Sequence, residues 1–178
     1  TNGQFEAAAA TVAKDITPNE ATYLAATRQL LHADALRDAG EAYPALDAYD
    51  AMLKNMSERM SFAANATMHA AAVCRERREY VDAMSYYMVA LKNYGLTLSE
   101  DDYNDAIDFV TKYQAIYKDP MGALSSMMDD VEQRLTQGDS GPETQVIQDE
   151  IIAILEDLIA TNPQKPNDKQ PPPGRAPQ

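Results

Sequence analysis

Between Phe62 and Tyr94 the apolar residues keep helical spacing in two separate stretches with a polar break between them. Ala63, Ala66 and Ala70 stand three and four apart in the first stretch, and Tyr80, Ala83, Tyr87 and Ala90 do so in the second. Such spacing gathers each set on one side of an α-helix. The break, Arg75-Glu-Arg-Arg-Glu79, is polar and too short to carry the second rod away from the first. Two helices of about fifteen residues each must therefore fold back on one another as a hairpin.

The pattern continues in both directions. Residues 1–16, with Phe5, four consecutive alanines and Val12, predict either a short amphipathic helix packed on the first hairpin or a frayed end. Thr17-Pro18-Asn19-Glu20 has the makeup of a capping box with proline in the first turn, and predicts a helix from there to about Ala39. Leu24, Leu31 and Ala35 would be its apolar stripe, and Gly40 its stop. Pro44 sits where the first turn of the next helix tolerates it, and that helix should reach Asn55. Ser57 is the expected cap of a helix ending near Arg77, and Tyr80–Tyr94 the following one, closed by Gly95. Ser99, trailed by three acids, predicts a helix to Tyr117; Asp119-Pro120 opens another to about Gln137.

After the break Gly138–Pro142, a last helix to about Ala160 carries a broad apolar face: Val146, Ile147, Ile151, Ile154, Leu155, Leu158 and Ile159. Such a face needs a cover, so a helix capping the end of the array is the first reading and a dimer seam the second. Residues 17–160 thus form the folded domain. Residues 161–178 hold six of the ten prolines and are expected to be a disordered tail of polyproline II character.

Ala71, Tyr80, Ala83, Tyr87 and Ala90 occupy the small and aromatic slots of a tetratricopeptide-repeat (TPR) hairpin, which this segment resembles. Ala33, Gly40, Ala45, Tyr49 and Met52 fill the same slots one unit earlier, with Ala45 and Ala83 separated by 38 positions against the usual 34 of the family. A third pair, 102–117 with 120–135, is a weaker match, with Ala123 and Met127 in the small and large slots. The family's tryptophan is lacking. The resemblance implies an all-α fold of antiparallel helical hairpins stacked as a short TPR-like solenoid, closed by the C-terminal capping helix. It also implies a groove lined by the first helix of each pair, at Thr27, Leu30, Asp34, Arg37 and Asp38, then Asn65, Met68, Ala72, Arg75 and Glu76. The family's Lys and Asn clamp for a terminal carboxylate is not matched at these slots. A second resemblance, over about 25 residues from Gly138, is to tails of exported bacterial proteins of unknown function. It favours an exported or periplasmic protein whose signal peptide has been removed.

Net charge of −13 with scattered basic residues argues against a nucleic-acid partner. No apolar run reaches the length of a membrane span. Nine methionines raise the question of a soft metal: Met52, Met56 and Met60 are four apart, Met84 and Met88 likewise, and Met68 precedes His69. Unbranched Met also fills irregular gaps between helices, and that reading is preferred, with no metal or cofactor expected. His32 and His69 stand at unequal slots and need not meet. Cys74 on an alanine-rich face reads as a buried, inert thiol. Asp101, Asp102, Asn104 and Asp105 lack the glycine and closing glutamate of a calcium loop. With no phosphate loop, nucleophile elbow or acid–base pair in one cleft, no enzyme is expected.

These readings converge on a non-catalytic protein–protein interaction scaffold. A peptide or protein partner would rest on Leu30 and Met68, oriented by Arg37 and Arg75, with Asp34 and Asn65 beside them. Two alternatives stand: a structural subunit of a larger assembly using the last helix and tyrosines 43, 86 and 94, and a Met-based soft-metal binder.

Overall fold

A computed structural model of the chain describes residues 2–14, 16 and 22–161, which form eight helices and no strand. They are α1 (Asn2–Ala13), α2 (Tyr23–Asp38), α3 (Ala42–Met56), α4 (Met60–Glu76), α5 (Tyr80–Tyr94), α6 (Glu100–Lys118), α7 (Pro120–Thr136) and α8 (Pro142–Thr161). The predicted helix start at Thr17–Glu20 and the proline-rich stretch after Thr161 lie outside the described residues. Within them, α2 begins behind Thr22, whose Oγ1 accepts from the Ala25 amide.

Three reversals share one construction. At the end of α2 the Glu41 amide reaches back to the Leu36 carbonyl and the Gly40 amide to Arg37, with Gly40 at φ +86°. At the end of α4 the Glu79 amide bonds Cys74 O and the Arg78 amide bonds Arg75 O, with Arg78 at φ +64°. After α7 the Asp139 and Gly138 amides bond Arg134 O and Leu135 O, with Gly138 at φ +81°. All three are Schellman caps, which turn the chain sharply while satisfying the last free carbonyls. The polar break read as a short turn is therefore the same device as Gly40, built with arginine in the left-handed slot. Its register is also the same: α3 and α5 have identical bounds displaced by 38 residues.

Neighbouring helices pack in sequence from α1 to α8. In addition α4 touches α2 and α8 returns to α5. Fully buried Ala33 and Ala71, and Ala45 and Ala83, fall at equal register in successive hairpins. A side chain that ends at Cβ lets two helix axes come close, and the larger Tyr49, Met52 and Tyr87 then fill the space alongside. Met52 and its neighbours close one core over α2–α4; a second runs through α4–α8, and Leu46 and Tyr86 pack against both. Burial of a side chain the size of Met52 contributes about 2–3 kcal/mol.

Two sequence expectations are corrected. Leu24 and Leu31 are more than half exposed, while Ala25, Ala26 and Ala33 face the core, because α2 is flanked by α1, α3 and α4 and close approach selects small apolar residues over large ones. Ser57 does not cap α4 but stands at the C-cap position of α3; α4 starts at Met60 behind Arg59, with no side-chain cap. Elsewhere local signals hold. Ser99 Oγ accepts from the Asp102 amide, and Asp119 accepts from Gly122 ahead of the Pro120 start of α7. Gly95 ends α5 in right-handed backbone, where a Cβ would lie 2.7 Å from the Leu91 carbonyl oxygen.

The last helix caps the array. Ile151, Ala153 and Ile154 join the core that holds Tyr80, Phe109 and Tyr113, whereas Val146 and Ile159 remain exposed.

Candidate partner-binding face

Leu30, Asp34 and Arg37 lie on α2, and Asn65, Met68 and Arg75 on α4, two helices that touch. Asp34 is a junction. It accepts from Tyr49 Oη and pairs with His69 Nδ1, both at 2.7 Å, with Arg37 3.7 Å away. Burial alone would raise its carboxyl, but the hydrogen bonds from His69 and Tyr49 outweigh that and hold it below the usual carboxylate value. The same burial, with Asp34 beside it, pushes the Tyr49 phenol far up, so the tyrosine remains a donor.

Both arginines expected to orient a partner are engaged within the chain. Arg37 donates to Asp38 at 2.9 and 3.0 Å. Arg75 Nη1 bridges both Asp105 oxygens at 3.0 and 3.1 Å, and its guanidinium lies 5.5 Å from the Phe109 ring centre. Tyr87 Oη donates to the same carboxylate. Leu30 and Met68 are half-buried, Leu30 against the first core and Met68 against the second. Asn65 is exposed. Helical spacing sets the three residues of each helix on one side of that helix. Asp34–His69 ties α2 to α4, and Arg75–Asp105 ties α4 to α6.

The remaining candidates separate. Met52 and Met56 are buried in the first core and Met60 opens the next helix at 47% exposure, so the three do not present one thioether face. His32 lines a hollow with Gln29, Ala48 and Asn55, apart from His69, and burial lowers its pKa. Cys74 is buried, and burial followed by the nearby Glu79, Asp82 and Asp50 pushes its thiol up to about 12. A thiol so placed is not a nucleophile at neutral pH. Asp102 serves Ser99 at the start of α6, in keeping with a solvated helix start rather than a calcium loop. Among the described residues no three His, Cys, Asp or Glu side chains gather as a metal site. Nor is any helix among them long and apolar enough to cross a membrane.

Sequence reasoning missed the tyrosine latches. Tyr113 donates to Glu150 at 2.7 Å and Tyr117 to Asp157 at 2.6 Å, joining α6 to α8; Tyr86 donates to Asp50 at 2.7 Å, joining α5 to α3. Tyrosines four apart opposite acids seven apart were the available signal. Of the tyrosines expected to mediate permanent contacts, Tyr94 is buried and Tyr86 half-buried in this way, and Tyr43 alone is largely exposed. Comparison with known proteins finds no matching family model, no matching curated protein and no matching solved structure.

Proposed function

We propose that the chain is a non-catalytic interaction scaffold of TPR-like construction, holding a peptide or protein partner along the face of α2, α4 and α6. The observation that supports this most is the pair of cross-helix ties, Asp34–His69 and Arg75–Asp105, which join first helices of successive hairpins edge to edge. A face fixed in this way is pre-organised, and binding to it orders little of the protein. Because Arg37 and Arg75 already neutralise Asp38 and Asp105, reversing their charge would also set carboxylates against carboxylates. Exposed Asn65 is the cleaner probe. A photo-crosslinking amino acid at position 65 should form a discrete adduct in an extract of the source cells, and one at exposed Gln133 on α7 should not. No adduct at 65, or equal labelling at both positions, refutes this face.

One observation favours a structural subunit instead. Met121, Met128 and Leu135, seven apart on α7, are 46–74% exposed, as are Val146, Ile152 and Ile159 on α8 at 52–71%. A stable oligomer by light scattering that turns monomeric on changing Met128 and Ile152 to Glu would select that reading.

A further inference from the structure

A second surface lies between α3 and α5, where a cleft of about 500 Å³ opens. Its apolar lining includes Leu46, Val89 and the buried Cys74, and Tyr43 and Tyr86 stand in its walls. Four carboxylates line it as well: Asp47 and Asp50 from α3, Glu79 before α5, and Asp82 within α5. Of these four, only Glu79 pairs with a cation of the described residues, Arg77 at 2.9 Å. Asp50 is met by the neutral Tyr86 hydroxyl, and no cation of the described residues lies within ion-pair distance of Asp47, Asp50 or Asp82.

One end of the cleft already displays the chemistry the rest would accept. The Arg77 guanidinium sits 4.1 Å from the Tyr43 ring centre while bonding Glu79 and the Tyr43 hydroxyl. A planar cation between an aromatic face and a carboxylate is favourable both as a cation–π contact and as a charge-assisted hydrogen bond. Tyr86, Asp50 and Asp82 offer the same combination further along, with no guanidinium of the described residues paired to them. The α5 side extends from Glu79 to Val89, about 15 Å of helix rise, which is four or five residues of extended chain. Side chains on one side of an extended peptide recur every second residue, about 6.6 Å apart.

We propose that this cleft binds an extended segment of a partner protein carrying arginine or lysine at two alternate positions, the cations directed at Asp47 and Asp82 and the intervening backbone laid along Leu46 and Val89. The site shares no residue with the α2–α4–α6 face, so either reading can fail without the other.

The test uses the full chain and a labelled six-residue peptide with arginine at its second and fourth positions, read by fluorescence anisotropy at physiological salt. Asp47→Asn with Asp82→Asn should weaken binding about tenfold or more. Asp101→Asn with Asp129→Asn removes the same charge from exposed sites elsewhere and should change it less than about twofold. Far-UV circular dichroism confirms that both variants fold. Equal losses in the two variants mean diffuse attraction to an acidic protein and overturn the proposal, as does the absence of saturable binding to the unmodified chain below about 1 mM.

Discussion

Arg78 offers the sharpest test of how the hairpins are built. It holds the left-handed position of the α4 cap, φ +64°, where its Cβ crowds the backbone and costs about 1 kcal/mol relative to glycine. Replacing it by glycine directly would also remove its 2.6 Å pair with Asp149, in which both side chains are about half exposed and which contributes between about 0 and 1 kcal/mol. The informative comparison is therefore Arg78→Ala against Arg78→Gly, which lose that pair alike. Glycine relieves the left-handed strain but gives the unfolded chain more freedom, a cost of about 0.4–1 kcal/mol that partly offsets the gain. Because an alanine incompatible with its backbone loses more than that range, the glycine variant should still be the more stable by about 0.5–1 kcal/mol. In a chain of 178 residues this is about 1–4 °C in melting temperature. Gly40 supplies the mirror experiment. A Cβ there meets nothing within 4 Å, so Gly40→Ala tests backbone strain alone and should lose a similar amount. Urea titration followed by circular dichroism measures both differences. An alanine variant as stable as the glycine variant at position 78, with glycine favoured at position 40, would show that the α4 reversal is not the cap that ends α2.

Tyr113→Phe leaves Glu150, 8% exposed, with the Lys112 ammonium as its remaining side-chain partner, and should cost about 1.5–3 kcal/mol in urea unfolding, whereas Tyr43→Phe at an exposed site should cost under about 0.5. Asp34 contributes pH-dependent stability of definite sign. Its folded pKa is below the ordinary 3.8, so the contribution is present in full above that value and disappears as the pH falls beneath it toward the lower folded pKa. Thermal melts from pH 5 to pH 2 should therefore fall more steeply for the parent than for Asp34→Asn, and parallel curves would refute the role given to His69 and Tyr49. Cys74, buried and with its thiol pushed up to about 12, should resist a disulfide reagent at pH 8 in the folded chain and react within seconds to minutes in urea. Rapid native labelling would contradict its placement.

The candidate face divides along the same line as the fold. That Leu30, Asp34 and Arg37 share one helix and Asn65, Met68 and Arg75 another was legible, because helical spacing is a local property of each stretch. Their engagement was not legible. That Arg75 meets Asp105 across 30 positions, and that Asp34 lies between Tyr49 and His69, depends on how three helices stack.

Helix boundaries at Gly40, Ser99, Asp119-Pro120 and Gly138 follow from the sequence alone, since each rests on the backbone freedom or capping chemistry of a few adjacent residues. Small and aromatic residues 38 apart likewise announce repeated hairpins. Tertiary structure decided the rest: that Leu24 and Leu31 face outward while alanines face in, that an arginine takes the left-handed slot glycine holds elsewhere, and that α8 is bound through Tyr113 and Tyr117. Hydrophobic pattern says which residues gain by leaving water, but how closely neighbouring helices approach determines which of them find room, and that distance is written only in the folded chain.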